Sequence, residues 1–555
     1  MEDVSYTTQG LDHLGLVAGV CRKIDLIEQI DARVGPTERK VSVGQAVQAM
    51  VLNALGFVGR PLYLTPEFFA NKPVDLLIGP ELRYEDFNDD SLGRALDVLY
   101  AVGLTEVYAG VASHAVQGVG IAPRFVHLDT SSFSVEGEYA LPSEDPQVVQ
   151  ITYGYSKDGR PDLKQVVLGL ICTYRSSIPV WVKALDGNSS DKESFVPIIQ
   201  AYVEQFSGGE TPYIIADSAL YSQSNLQEMS SGIRWISRVP ATVSEVGVLY
   251  EQVGVDQMEV SAQGGYRYLE VGSGYGGVRQ RWVVVYSEAA YQREKATLEK
   301  QVSREQVQAQ KALWHLSGKE FWDLSQVQAS LSALEGSWKY HRAKVQVLPV
   351  SHYGGRGRPG VDQKPLRVGF RVEGEVEEDG GAIERARRTK GKFVLATNEL
   401  EQERLPAETI LEAYKGQGGS VERGFRFLKD PLFFASGLFL EKPQRIMALL
   451  MVMGLSLLVY AVGEHLVRAE LARRGQTLPD QRGKPTGRPT MRRIFQVFEG
   501  IDVLRIEQKG VLHRRVLNLR PVHRQILELL GPDVQHYYLL EEEQNRKSQR
   551  LRCGM

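Results

Sequence analysis

Residues 124–129 read RFVHLD, a short apolar run that ends in a carboxylate, and residues 213–217 read YIIAD, a second run of the same kind. Both runs predict buried β-strands, because they are short and rich in β-branched and aromatic residues. Residues at strand ends of an α/β sheet line the crevice in which ligands bind. Asp129 and Asp217 are therefore candidate site residues, and the predicted fold class is α/β.

The segment between the two runs predicts the rest of this sheet. Strand-like stretches rich in Val, Ile, Tyr and Thr occur at residues 133–139, 150–156, 163–174 and 178–185. Lys157 to Pro161 (KDGRP) is a strong turn signal, and residues 194–205 predict a helix. Asp186, Asp191 and Glu193 follow the last strand-like stretch and are interpreted as turn and cap residues.

A third carboxylate, Glu422, lies in a predicted helix (VERGFRFLK) that follows a glycine-rich break at residues 416–419. Phe425, Arg426 and Lys429 share its helix face at i+3, i+4 and i+7. Magnesium prefers oxygen ligands and is bound by a few carboxylates together with substrate phosphate and water. One carboxylate among several cations suits a site that holds metal and a phosphate backbone together, although each signal alone is common.

The chain is predicted to have five regions. Residues 1–118 are mostly helical, with Ser42, Thr65-Pro66 and Asp90-Ser91 as helix starts. Residues 221–385 alternate strand-like and charged helical stretches and predict a mixed α+β insertion between the second Asp and the Glu. The predicted regions are a helical N-terminal accessory or DNA-binding domain (1–118), a first segment of the catalytic core (119–220), the insertion (221–385), a second segment of the catalytic core (386–470) and a basic C-terminal region (471–555).

Charge and composition limit the function classes. The net charge of 555 residues is −3, so no global basic excess indicates a nucleic-acid binder. Residues 471–524 nevertheless contain thirteen Arg or Lys and four Asp or Glu, and a local basic region is what DNA contact requires. Three dispersed cysteines and the absence of P-loop, dinucleotide and zinc motifs argue against disulfide, ATP or zinc dependence.

Location is predicted from the N-terminal and the most apolar segments. The acidic, polar start is not a signal peptide, which favours the cytoplasm. Residues 446–462 carry no charge and approach membrane-spanning length, but charged residues flank them closely. A buried core helix is therefore predicted there, and no membrane association is expected.

Tyr414-Lys415-Gly416-Gln417 and the segment from Val421 to Lys429 resemble the Tyr-Arg-Glu-Lys signature of insertion-sequence-four transposases. Glu422 and Lys429 keep the spacing of the signature, whereas Gln417 stands where Arg is usual and lies one residue further from the Glu. The segments HLDTSSFSVEGEY, GYSKDGRPDLKQVVLGL, IPVWVKALDGNSSD and YIIADSALYS also resemble this family.

This resemblance implies a ribonuclease-H-like mixed sheet flanked by helices, whose Asp129, Asp217 and Glu422 bind two Mg²⁺ or Mn²⁺ ions. It implies hydrolysis at the element ends, followed by attack of the released 3′-hydroxyl on target DNA. The expected partners are double-stranded DNA, both terminal inverted repeats and target, and a second copy in a homodimer on DNA; the expected location is the bacterial nucleoid. The expected DNA contacts are Tyr414, Lys415, Gln417, Arg426 and Lys429.

Two other interpretations remain open. The chain could be a domesticated or inactivated relative that binds DNA without cutting it, although the complete carboxylate set favours activity. It could instead be a different carboxylate hydrolase, such as a glycosidase that uses Asp129 and Glu422. The basic C-terminal region and the segment from Tyr414 to Lys429 argue against a glycosidase. His127, two residues before Asp129, is interpreted as a structural histidine.

Overall fold

The computed structural model describes residues 4–58, 60–139, 145–205, 210–229, 232–355, 357–358, 360, 362–433, 440–508 and 511–540. The chain divides into two compact units. Unit 1 contains the residues up to Ser237 and those from Leu411 onward, and unit 2 runs from Arg238 to Ile410. The predicted tail is described only as far as residue 540, and Cys553 lies outside the described residues.

Unit 1 begins with one strand and seven helices. Their bounds are β1 Val4–Gly10, α1 Leu14–Lys23, α2 Leu26–Val34, α3 Val43–Leu55, α4 Thr65–Phe69, α5 Val74–Leu77, α6 Asp89–Val102 and α7 Leu104–Gly118. Ser42 caps α3 in a capping box with Gln45, which confirms the predicted start of this helix. The cap of α6 is Asn88, whose side chain accepts from the Ser91 N–H, so the predicted start at Asp90-Ser91 lies two residues too late.

The following segment forms a mixed sheet with flanking helices. Its elements are β2 Phe125–Val135, β3 Lys164–Thr173, β4 Pro179–Leu185, α8 Asp191–Val203, β5 Tyr213–Ala216, α9 Gln223–Glu228 and β6 Trp235–Val239. In unit 1 the strand order is β4-β3-β2-β5-β6. The β4–β3 and β3–β2 pairs are antiparallel, whereas the β2–β5 and β5–β6 pairs are parallel. The core strands are buried on both faces, as their continuous apolar sequences predict.

Unit 2 combines an antiparallel sheet with a long hairpin. Its elements are α10 Ser244–Gln252, β7 Glu259–Val260, β8 Tyr266–Ser273, β9 Gln280–Ser287, α11 Glu288–Ser317, α12 Leu324–Glu335, β10 His341–His352, β11 Arg367–Glu378, α13 Gly380–Arg388 and β12 Lys392–Thr397. Within this unit β12, β9, β8 and β7 are neighbours in that order, and β10 pairs with β11 over twelve residues. Leu313, Val327 and Val372 form a small core beneath the hairpin.

Unit 1 resumes with the helices and strands that complete it. They are α14 Ala407–Lys415 (which begins in unit 2), α15 Val421–Leu428, α16 Pro443–Arg474, β13 Leu478–Pro479, β14 Pro485–Thr486, α17 Met491–Val497, β15 Asp502–Gln508, β16 Val511–Val516, α18 Pro521–Leu530 and α19 Pro532–Tyr538. Strand β15 pairs antiparallel with β1, so the two ends of the chain share a sheet.

Helix α16 is long and apolar enough to cross a membrane, as are α6 and α7 if this bent pair is counted as one span. Within the described residues, however, 94% of the most apolar stretch of α16 is buried inside the protein. Pro443 at its first turn and Gly475 in the left-handed conformation after its last residue fix its ends. The predicted burial of residues 446–462 in a core helix is confirmed.

Two strand predictions upstream of the turn were wrong. The stretch at 133–139 is not a new strand, because β2 continues without a break from Phe125 to Val135. Asp129 therefore lies inside a strand and not at its end. The stretch at 150–156 forms only one isolated bridge, Thr152 with Gln165. Position 154 requires glycine, because a Cβ there would stand 2.1 Å from the Gly187 carbonyl oxygen.

Candidate active site

Asp129 and Asp217 lie on neighbouring parallel strands. Strand β5 pairs with β2 only over Phe125–His127, so Asp129 stands two residues beyond the end of this ladder. Asp217 directly follows β5, as predicted. The Thr130 N–H donates to Asp129 Oδ1 at 2.8 Å, and the Ala219 N–H donates to Asp217 Oδ1 at 2.8 Å. Both carboxylates are thus fixed by backbone donors at one edge of the sheet.

The charge of this pair is incompletely neutralised. Burial raises the pKa of Asp129 from 3.8 to about 6, against the lowering effects of Lys157 and of the Thr130 N–H. Repulsion from Asp217 and Asp191 raises the pKa of Asp129 further. Burial is also the main cause of the raised pKa of Asp217. Two half-buried carboxylates that disfavour their own ionisation form a site that a cation would stabilise.

Lys157 and Asp191 adjoin this pair, although the sequence pattern predicts neither residue at the site. Lys157 Nζ is 3.9 Å from Asp129 Oδ1 and donates to Asp191 Oδ2 at 2.9 Å. It also donates to the carbonyl oxygen of Thr130 at 2.8 Å. The Thr130 hydroxyl donates to Asp191 Oδ1. The cap of α8 is Ser190 and Asp191 is the first residue of the helix, so the interpretation of Asp191 as a cap was wrong by one position. Its carboxylate instead contacts Thr130 of β2 and Lys157.

Glu422 lies on α15, one residue after the helix begins, and its side chain is exposed. The preceding Gly416–Gly419 segment forms a short 3₁₀ turn, which confirms the predicted glycine break. Helix α15 packs against β2, which contains Asp129, and against its neighbour β3. Gly424 allows this approach, because a Cβ there would stand 3.1 Å from methyl groups of Leu170 and Leu457.

A buried ion-pair cluster anchors the other face of α15. Arg423 donates to Glu464 of α16 through both terminal nitrogens, each at 2.6 Å. Arg468 is 2.7 Å from the same carboxylate, and the Met491 N–H donates to it at 3.0 Å. The Glu464 side chain is only 5% exposed. This cluster fixes the helix residue next to Glu422.

The residues predicted to contact DNA lie around α15 but differ in accessibility. Lys415 and Arg426 are exposed, Tyr414 is half-buried at the end of α14, and Gln417 is buried at 8% exposure. Lys429 follows the last residue of α15, and its Nζ is 2.6 Å from Asp158 Oδ1. The same ammonium group lies 5.3 Å from the centre of the Phe133 ring.

His127 connects the strand of Asp129 to α14. Its ring is fully buried, and Nε2 is 2.8 Å from the carbonyl oxygen of Ala413. Burial lowers the pKa of His127 to about 4, so the ring is neutral at physiological pH and Nε2–H is the donor to that carbonyl. This contact supports the structural role interpreted from the sequence.

The donor chemistry of Asp129 and Asp217 fits a hard divalent cation, which prefers carboxylate oxygens. Burial raises the pKa of both carboxyl groups, so a bound cation would stabilise their ionised forms. Within the residues that the structure describes, however, no three His, Cys, Asp or Glu side chains are grouped so that they could hold a metal ion. Glu422 as a third metal ligand therefore stays a prediction.

Two aspartates on neighbouring parallel strands, one inside β2 and one directly after β5, form a carboxylate site that is suited to cations and phosphate chemistry. The family model "Transposase DDE domain" matches residues 122–459, which contain Asp129, Asp217 and Glu422. The chain belongs to this transposase family. Residues 6–113 match a second family model, a domain of unknown function (DUF4277).

No curated protein sequence matches the chain. Among solved structures, the fold is similar to a chain in the cryo-EM structure of a piggyBac transposase synaptic complex with hairpin DNA. The identity is 8%, the match covers 89% of this chain and 82% of that chain, and the TM-score is 0.37. A TM-score this low supports no functional argument.

Proposed function

We propose that the chain is the DNA transposase of an insertion sequence, with Asp129, Asp217 and Glu422 as its catalytic carboxylates. It hydrolyses phosphodiester bonds at the element ends and transfers the released 3′-hydroxyl ends into target DNA. The observation that carries this proposal is the fixed, undercompensated Asp129–Asp217 pair inside the residues that match the transposase domain.

The proposed catalytic core is ribonuclease-H-like. The order β4-β3-β2-β5-β6 supports it, because this order makes β2 and β5 parallel neighbours. Parallel neighbours bring their carboxyl ends to one edge of the sheet, where Asp129 and Asp217 meet. The insertion-sequence-four group is proposed from the Tyr414 to Lys429 segment, whose Glu422 stands on α15 beside β2.

Each component of the site has a proposed role. Asp129 and Asp217 would hold two Mg²⁺ or Mn²⁺ ions with Glu422, and such ions activate the attacking oxygen and stabilise the leaving one. The Thr130 and Ala219 N–H groups orient the two aspartates, each by one hydrogen bond of 2.8 Å. The Arg423–Glu464 ion pair holds α15, and with it Glu422, against α16.

DNA is the proposed partner, as element ends and as target, bound by a homodimer in a bacterial cytoplasm. Lys415 and Arg426 are exposed near Glu422 and suit phosphate contacts, which give salt-sensitive and sequence-independent affinity. Tyr414, Gln417 and Lys429 complete the proposed set. The basic region after residue 471 would add to this affinity, although Arg492, Arg505 and Arg514 are paired with Asp430 and Asp75.

Cleavage of a supercoiled plasmid that carries the element ends tests this proposal. Asp129→Asn, Asp217→Asn and Glu422→Gln should each lower the rate with Mg²⁺ by roughly 10³-fold or more, because metal assistance contributes several kcal/mol at tenfold per 1.36 kcal/mol. The control Glu470→Gln changes a half-buried carboxylate on α16 that pairs only with Arg473 and Arg474 among the described ion pairs, and it should cut at the wild-type rate.

The outcomes separate the alternatives. Wild-type rates in any of the three carboxylate variants would show that the proposed site is wrong. Wild-type protein that binds the ends but cuts neither with Mg²⁺ nor with Mn²⁺ would instead identify a relative that only binds DNA.

A further inference from the structure

Lys157 is the cation that lies nearest to Asp129 among the described ion pairs of this site, and three hydrogen bonds hold its ammonium group. Nζ donates to Asp191 Oδ2 at 2.9 Å, to the Thr130 carbonyl oxygen at 2.8 Å and to Thr130 Oγ1 at 3.2 Å. An ammonium group has three N–H donors, so these three contacts use all of them. Asp129 Oδ1, at 3.9 Å, receives the charge of Lys157 without a hydrogen bond from it.

The backbone holds Lys157 independently of its side chain. The Lys157 N–H donates to the Ser132 hydroxyl at 2.9 Å, which ties the turn to β2. The side chain is anchored by residues that are not predicted catalytic carboxylates, Asp191 and Thr130. The oxygens of Asp129 therefore remain available to another ligand while Lys157 stays in place.

We propose that Lys157 is a permanent counter-cation of the Asp129–Asp217 site, held there by Asp191 to weaken the binding of divalent metal ions to the protein alone. This proposal rests on the proposed function of these carboxylates. Its consequence is that the site needs additional oxygen ligands, such as phosphates, before it holds metal firmly. Magnesium sites of this kind are commonly completed by substrate phosphate.

Lys157 weakens metal binding because its ammonium group and the metal ion are both positively charged. A cation bound to Asp129 Oδ1 at about 2.1 Å would stand at most roughly 6 Å from Lys157 Nζ, which is 3.9 Å from this oxygen, and the two positive charges repel each other. A water-like dielectric gives the smallest repulsion, which already weakens metal binding by about tenfold, and Lys157 is only about one third exposed. Loss of the Asp191 charge should also weaken metal binding, because it makes the site less negative.

Titration of the full chain with Mn²⁺ alone, without DNA, tests the proposal, with the electron paramagnetic resonance signal of free Mn²⁺ as the measurement. Lys157→Met should bind Mn²⁺ about tenfold more tightly than wild type. Asp191→Asn should bind it several-fold more weakly. The matched control Lys157→Arg keeps the charge and should stay within about twofold of wild type.

A double variant guards against misfolding of the single ones. Lys157→Met with Asp191→Asn removes one charge of each sign, leaves no unpaired partner and should return to within about threefold of wild type. Unchanged or weaker Mn²⁺ binding in Lys157→Met would overturn the inference. Mn²⁺ binding that persists at wild-type affinity in both Asp129→Asn and Asp217→Asn would instead overturn the proposed metal site itself.

Discussion

Unit 1 buries carboxylates in two regions, and it neutralises them to different extents. Glu464 on α16 is bound by Arg423 and Arg468 and also accepts the Met491 N–H. Asp129 on β2 is also largely buried, at 22% exposure, but its nearest cation is 3.9 Å away. Burial and the neighbouring carboxylates therefore raise its pKa to about 6.

This difference in neutralisation distinguishes Glu464, which anchors a helix, from Asp129, which belongs to the proposed reactive site. A buried charge that has every partner in place holds its neighbours in one geometry, and removal of one partner leaves the others uncompensated. A buried carboxylate that lacks partners costs folding free energy and is ready to accept a cation or a proton. In this chain the anchor fixes α15, which carries Glu422, and the undercompensated pair lies on the sheet beside it.

The largest effect on stability is expected from the anchor. Glu464→Ala leaves Arg423 and Arg468 without their shared carboxylate and should lower the free energy of unfolding by about 3–5 kcal/mol. Urea denaturation with a metal chelator present measures this change. The matched control is Glu470→Ala on the same helix, whose two arginine partners are exposed. A change no larger than that of the control would contradict the role of Glu464 as an anchor.

Asp129→Asn is expected to raise the free energy of unfolding of the metal-free protein, in contrast to Glu464→Ala. Between pH 4 and 6 the folded chain holds the Asp129 proton more tightly than the unfolded chain, so ionisation costs stability as pH rises through this window. Asn cannot ionise and can still accept the Thr130 N–H. The variant should therefore be more stable than wild type at pH 8, by at most about 3 kcal/mol for a shift from 3.8 to about 6.

The control for this prediction is pH itself. At pH 4 and below the carboxyl group is protonated in the folded chain, and the two proteins should have nearly equal unfolding midpoints. Equal midpoints at pH 8, or a less stable Asn variant, would mean that Asp129 is as fully compensated as Glu464.

The sequence predicted the features of this site that depend on local pattern. The apolar run before Asp217 ends where β5 ends, and the glycine break places Glu422 at the start of α15. The position of Asp129 was predicted less well, because nothing in the pattern shows that β2 continues eight residues past the ladder with β5. Pairing with β3 over Val126–Val135 stabilises this extension.

The neighbours of Asp129 could not be predicted, for a physical reason. Lys157 lies in the predicted turn, and Asp191 lies at the start of α8, one residue after the cap Ser190. Their side chains meet at Thr130 only because β3 and β4 fold back on β2, which is a contact between residues 27 to 61 positions apart. Local periodicity contains no information about such a contact.

The smallest expected effect concerns the second ion pair of the same turn. Asp158 holds Lys429 at 2.6 Å, so the cation predicted to contact DNA phosphate is already paired in the protein alone. Asp158→Asn should release it and strengthen binding of a duplex end by a few-fold at low salt. The slope of log affinity against log salt should become steeper by roughly one unit, because one more phosphate contact releases one more counterion.

The stronger DNA binding of Asp158→Asn is expected to depend on Lys429. In a Lys429→Met background the Asp158→Asn change should have no effect on affinity or on the salt slope, and Lys429→Met alone should bind more weakly than wild type. Fluorescence anisotropy with a labelled duplex, from low to physiological salt, measures both quantities. A gain that persists without Lys429 would assign the effect to the loss of a negative charge near DNA, and Lys429 would then belong to the anchored scaffold, like Arg423, and not to the DNA-binding surface.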